Sequence, residues 1–460
     1  MPDPLHAVSP LDGRYAARLD PLREYASEAA LLETRVRVEV DYLLALADLD
    51  AVSLSLSTAE RADLDAVAEE FDVDDARLVK RIETAGYGDY AATNHDVKAV
   101  EYFLRERTTV PEEWIHFGLT SEDVNNLAYR LLVRGAAGQV LVPELRAVRD
   151  ELAALAREHR ATPMLARTHG QPATPTTFGK EMAVYAARLG RAVGRLETAI
   201  DDLAGKLGGA SGTLAAHDAA YPNVDWRAFA RAFVESYDLR CAGLTTQVAS
   251  CDDLAALFDA VDAANAVLTD LDRDAWLYVS DGYLRQRAAD DETGSSTMPH
   301  KVNPIDFENG EGNLAVASAH LDMLADRLPT SRLQRDLTDS TVKRTIGVAL
   351  GHACLGYRKT RAGLEGVAPD AEAMREDLRA NPEVLTEAVQ TVLRREGHPD
   401  AYEQVKAFSR GRRLDLQTLR AAIDDLAVEE DVREELHALT PEEYTGLADE
   451  MVDDLDDTTD

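Results

Sequence analysis

The sequence predicts an all-α fold built around a bundle of long helices. Leu141, Leu145, Val148, Leu152 and Leu155 recur at spacings of four and three, one apolar helix stripe. Met182, Tyr185, Leu189, Ala192, Leu196, Ala199 and Leu203 repeat the rhythm, and Leu254, Leu257, Val261, Ala264, Leu268, Leu271, Ala275 and Tyr278 carry it further. Convincing strand alternation is scarce. A stripe kept for about 25 residues is roughly twice the ordinary helix length and favours near-parallel packing, with Ala allowing close approach. Flanking positions are also Ala, Val or Leu, so more than one face is expected to be buried. Either the chain uses those faces for its own core or an oligomer shares them, and their breadth favours a shared bundle.

Punctuation divides the chain into three helical parts. Residues 1–115 hold shorter helices, one opened by the capping pattern Ser57-Thr58-Ala59-Glu60. Residues 116–368 carry the long helices and the chemistry-bearing strings, interrupted by Gly, Ser, Thr and Pro-rich loops around 162–179 and 290–304. A smaller acidic helical part, 369–460, follows Val367-Ala368-Pro369-Asp370.

Asp and Glu number 84 against 49 Lys and Arg, a net charge of −35, while 45% of residues are hydrophobic. Such a chain buries a core yet repels nucleic acid and anionic membranes, so neither is an expected partner. The acid is spread along the chain and reads as an adaptation to high salt, where screening relieves self-repulsion; an acidic mesophilic enzyme is the alternative. Cys241, Cys251 and Cys354 are too scattered for a disulfide framework or a metal site. Met1–Pro10 lacks the features of a signal peptide, and no run approaches the roughly 18 apolar residues of a membrane span. A cytoplasmic location is expected.

The strongest chemical signal is Gly294-Ser295-Ser296-Thr297-Met298-Pro299-His300-Lys301-Val302-Asn303-Pro304. Ser295 offers a hydroxyl, Lys301 a positive charge and Asn303 an amide donor. Together they could hold a carboxylate while a neighbouring proton is removed, since the carbanion's charge moves onto those oxygens. In Arg167-Thr168-His169-Gly170-Gln171-Pro172, the His169 imidazole can donate a proton near neutrality, or simply cap the next helix. In Thr93-Asn94-His95-Asp96-Val97-Lys98, Asp96 could orient His95 or take a ribose hydroxyl, with Lys98 and Glu101 a solvated pair. Thr120 and Ser121 look like an N-cap whose hydroxyls and amides face an anion, or only the cap. Arg14-Tyr15, after the turn Ser9–Gly13, and Arg335, Ser340 and Arg344 suit a phosphate; surface pairing with Asp336 and Asp339 is the alternative for the second group. His217 and His352 read as core residues. No metal or nucleotide-cofactor motif is present: no P-loop, no GxGxxG after a strand, no HExxH, no paired CxxC.

The string Gly294–Pro304 resembles the signature of the aspartase/fumarase superfamily, whose members release fumarate by anti β-elimination. The fuller pattern is similar to the bacterial-type branch of the adenylosuccinate lyase family: SPLDGRY, TNHDVKAVEYFL, HFGLTSEDVNN, RTHGQPATPTTFGKEMA, TTQ at 245–247, GSSTMPHKVNPIDFEN and RDLTDSTVKR. It spans residue 8 to at least 450. It implies Ser295 as general base and His169 as general acid, with Lys301 and Asn303 on the succinyl carboxylates. It further implies substrate contacts from His95, Thr168, Thr120, Ser121 and Gln247. Arg14, Tyr15, Arg335, Ser340 and Arg344 would bind the nucleotide, with Asn94, Asp96 and Asn309 lining the site. It implies a three-domain helical homotetramer with active sites shared between subunits, no cofactor, and two substrates: adenylosuccinate and the succinyl-carboxamide ribotide of purine synthesis. Residues 205–217 and 248–253 are less like the bacterial relatives. An argininosuccinate-type sibling would have no obvious use for the phosphate set. A silent structural protein on the same bundle would be expected to lose the loop or His169.

Overall fold

A computed structural model of the chain describes residues 4–287, 298, 301–410 and 414–457. Helices dominate, as the periodicity predicts. Apart from Leu141 and Leu203, the residues of the three stripes fall on helices Val142–Glu158, Phe178–Asp201 and Asp252–Ser280, and Ile305–Arg327 and Ile346–Glu365 are long as well. The first of these follows Ser121–Gly135 through a π-helical stretch, Ala136–Leu141.

The chain forms two compact units. The first comprises Met1–Glu144, Ala192–Ala266 and Asn313–Gly356; the second comprises Leu145–Arg191, Val267–Gly312 and Tyr357–Asp460. In the first unit, helix Glu28–Ala47 packs against helix Ser121–Gly135. It is not one of the short helices expected of the N-terminal part: its 20 residues bury Val36, Tyr42, Leu43 and Leu46 completely. Burial of each such side chain contributes about 1.5–3 kcal/mol before entropy is counted. The capping box at Ser57–Glu60 forms as predicted, Ser57 N–H donating to Glu60 Oε2 at 2.7 Å. His217 and His352 lie in the interior, at 0% and 9% exposure.

In the second unit, Leu378, Val389, Leu393, Leu419, Ile423 and Leu436 form a core with Leu165. The segment 162–179, expected as a loop, contains a β-hairpin: Pro163–Thr168 pairs antiparallel with Gln171–Thr177, Thr168 opposite Gln171. His169 (φ 54°) and Gly170 (φ 71°) make its two-residue turn, the positive φ at both positions that a type I′ hairpin turn requires. Pro172 and Pro175 hide the alternation in the sequence. They are tolerated because each strand of a two-stranded hairpin has a free edge.

Candidate active site

A cavity of about 460 Å³ opens in the first unit. Among its lining side chains are Asn94, His95, Asp96, Ser121, Arg335, Ser340 and Arg344, contributed by sequence stretches more than 200 residues apart. Three of these come from the string Thr93–Lys98, one from Thr120-Ser121 and three from the RDLTDSTVKR stretch.

Helix Asp96–Arg107 sets the first group. Asn94 adopts φ 48°, and His95 is the helix N-cap, its Nδ1 accepting the Lys98 N–H at 3.2 Å. In neutral His95 the ring proton therefore sits on Nε2. Asp96 does not orient His95, which stands 3.9 Å away; it pairs with the buried Arg35 at 2.9 Å. Burial alone would raise the Asp96 pKa. The Arg35 charge and the Val97 N–H outweigh that, holding the carboxyl below its ordinary value. Arg35 is fixed in turn by Asn125 Oδ1 at 2.9 Å from its Nε. The Lys98–Glu101 pair, 2.5 Å, is not merely solvated, since Glu101 is buried.

The second group gathers around Glu122. Arg335 Nη2 pairs with Glu122 Oε1 at 3.2 Å, so its partner is neither Asp336 nor Asp339. Lys343 lies 3.8 Å from the other oxygen, pairs with Asp339 at 2.7 Å and sits over the Tyr129 ring at 5.4 Å. Burial would lower the Lys343 pKa, but Glu122 and its anionic neighbours keep it above the ordinary value. Arg344 is exposed, with no ion-pair partner among the described residues.

Thr120 caps helix Ser121–Gly135, its N–H donating to Asp123 Oδ2 at 2.9 Å. Asp123 is a buried hub that also accepts from Lys206 Nζ (2.8 Å), Gly208 N–H (2.8 Å) and Gly209 N–H (3.0 Å). Gly118, at φ 69°, leaves no room for a Cβ, which would meet the His217 ring at 2.8 Å. His116 pairs with the fully buried Glu39 at 2.5 Å; burial would lower its pKa, and Glu39 raises it above the usual imidazole value. Gln247 donates to Ala210 O at 2.9 Å. The two stretches least like the family pattern thus supply supports: 205–217 braces Thr120 and Gln247, and Asp253 binds the buried Arg130 at 2.7 Å.

Thr120, Gln247, Arg14 and Tyr15 belong to the same unit but not to the cavity lining. Arg14 is exposed; Tyr15 closes the predicted turn, its N–H donating to Pro10 O at 2.9 Å. Thr168, His169, Lys301, Asn303 and Asn309 belong to the second unit. His169 stands exposed at the hairpin tip, nine residues before the next helix, and so does not cap it. Lys301 is exposed, and Asn309 is on helix Ile305–Arg327. Ser295 lies outside the described residues.

Residues 13–318 match the lyase family model, and residues 331–445 match the adenylosuccinate lyase C-terminal model. The chain is 45% identical over 459 residues to the adenylosuccinate lyase of Escherichia coli strain K12, covering 98% of this chain and 99% of that one. The chain belongs to the adenylosuccinate lyase family. The Dictyostelium discoideum adenylosuccinate lyase is 42% identical, with 96% and 97% coverage. The crystal structure of a fumarate lyase from Mesorhizobium sp. BNC1 shares the fold at TM-score 0.77 and 22% identity, covering 95% of this chain and 97% of that one. The chain is a lyase, and among the described residues no helix is long and apolar enough to cross a membrane.

Three residues lining this adenylosuccinate lyase family cavity escape a reading by motif. Arg35 sits in a helix with no motif around it, and its partner Asp96 is 61 residues away. Glu122 and Lys343 lie inside quoted strings but read there as ordinary helix charges.

Proposed function

We propose that the chain eliminates fumarate from adenylosuccinate, giving AMP, and from the succinyl-carboxamide ribotide of purine biosynthesis. The supporting observation is the gathering of Arg335, Ser340 and Arg344 with Asn94, His95, Asp96 and Ser121 around one cavity, in a chain of this family. Cations and hydroxyls beside a helix N-terminus suit a phosphate monoester, and carboxamide and imidazole groups suit the rest of a nucleotide.

In this reading Ser295, as its alkoxide, takes a proton from the succinyl carbon next to the departing bond. The electron pair moves into the carboxylate on that carbon, and the resulting dianion is stabilised by Lys301 and Asn303. When the pair returns to form the double bond, the C–N bond breaks. His169 then protonates the leaving nitrogen. His95 and Thr168 help position the substrate, Thr120, Ser121 and Gln247 bind it as well, and Arg14 and Tyr15 join Arg335, Ser340 and Arg344 on the nucleotide, chiefly its phosphate, with Asn94, Asp96 and Asn309 lining the same site. Of three domains, 1–115, 116–368 and 369–460, the first two carry the residues of this scheme, and active sites are completed by three chains of a homotetramer. Catalysis takes place in a salt-rich cytoplasm without nucleic-acid or membrane partners.

The test is turnover in molar KCl of adenylosuccinate beside argininosuccinate and malate. Fumarate from adenylosuccinate alone supports the assignment. Turnover of either other substrate with adenylosuccinate untouched would assign a sibling reaction, and silence on all three would favour a structural role.

A further inference from the structure

The phosphate-binding cations of this cavity are not free to give their full charge to a ligand. Arg35 is occupied by Asp96 at 2.9 Å, and the rim carboxylates Glu28 and Glu83 share Lys80 at 2.8 and 2.5 Å. Arg335, Lys343 and Arg344 face Glu122 and Asp339, three cations against two carboxylates, and the one rim carboxylate that Lys80 leaves uncompensated brings the cavity's net charge to zero. A phosphate monoester brings nearly two negative charges at neutral pH.

Glu122 is only 2% exposed and stands between the two inner cations, Arg335 at 3.2 Å and Lys343 at 3.8 Å. It occupies the first turn of helix Ser121–Gly135, where a carboxylate also offsets the helix's positive end, the feature that would otherwise attract phosphate. Its contact with Arg335 uses one guanidinium nitrogen, Nη2, so Glu122 does not take both arms of the fork. A carboxylate serving only to anchor the arginine would be expected to take both arms. Asp339 holds Lys343 at 2.7 Å in the same manner.

We propose that Glu122, with Asp339, is a built-in counter-charge that keeps the phosphate-binding cations partly neutralised, so that the nucleotide product can leave. The inference rests on the assignment of this cavity to the substrate phosphate. In a poorly solvated pocket, a fixed anion close to the ligand's phosphate opposes binding strongly, and removing its charge tightens the complex.

The experiment is calorimetric titration of full-length protein with AMP and with adenosine at fixed KCl, for wild type, Glu122→Gln, Asp339→Asn and Ser340→Ala. The expected result is AMP binding about fivefold tighter or more in Glu122→Gln and in Asp339→Asn, with product inhibition strengthened in parallel. A disrupted scaffold would not tighten binding. Unchanged or weaker AMP affinity in both variants would overturn the proposal, and if Glu122→Gln does not fold, Asp339→Asn decides alone. Wild type that binds AMP no better than adenosine, with Ser340→Ala unchanged, would instead overturn the phosphate assignment of the cavity, and the counter-charge with it.

Discussion

His95 uses its two ring nitrogens differently. Nδ1 caps helix Asp96–Arg107 by accepting the Lys98 N–H, leaving Nε2–H for a ligand. His95→Ala should therefore lose both cap and ligand contact, whereas His95→Asn should restore the cap alone. We expect the alanine variant to lose about 1 kcal/mol of local stability, read as faster hydrogen exchange at residues 96–99. The asparagine variant should exchange like wild type while remaining catalytically impaired; equal activity in Asn and wild type would remove His95 from the site. Individual residues were legible where several chemistry-bearing types sat together, as in Thr93–Lys98. Arg35, Glu122 and Lys206 were not, because their meaning lies in partners distant in the chain: Asp96, Arg335 and Asp123. Spacing along one helix carries no trace of such pairings.

At the scale of elements, the long stripes were readable because a 3.6-residue period repeated over many turns leaves one consistent face. The hairpin at 163–177 was not, since its strands are short and broken by Pro172 and Pro175. Its turn chemistry, His169-Gly170, was the available signal. Gly170→Ala forces a side chain into φ 71° and should displace His169. A fall in kcat of about tenfold or more, with KM nearly unchanged, is expected; a rise in KM with kcat unchanged would contradict a proton-donor role at that tip. Between helices Asp252–Ser280 and Ile346–Glu365, Asp272 accepts from the Thr360 hydroxyl at 3.0 Å. Burial pushes its carboxyl up to about 8, Thr360 partly opposes this and Glu311 adds to it. The folded state thus holds this proton more tightly than the unfolded chain. Its contribution to stability is full below about pH 4 and is lost as pH rises towards 8. The melting temperature of Asp272→Asn relative to wild type should therefore rise from pH 5 to pH 9. A constant difference would show that Asp272 is already ionised at the lower pH.

For the whole molecule, a net charge of −35 makes self-repulsion a standing cost of compactness. The melting temperature should climb as KCl goes from 0.1 to 2 M, with the larger part of the rise at the lower salt concentrations where screening changes most. A flat or falling profile would argue that the acidic surface is not an adaptation to salt. The central claim concerns chemistry, and one measurement addresses it most directly: adenylosuccinate consumption with AMP and fumarate quantified together, in wild type and in Ser295→Ala. The account predicts equal amounts of both products from wild type and a rate reduced by about 10²-fold or more in the variant, with the variant still binding AMP. A variant as active as wild type would remove Ser295 as the base, and a folded wild type that leaves adenylosuccinate intact would contradict the account itself.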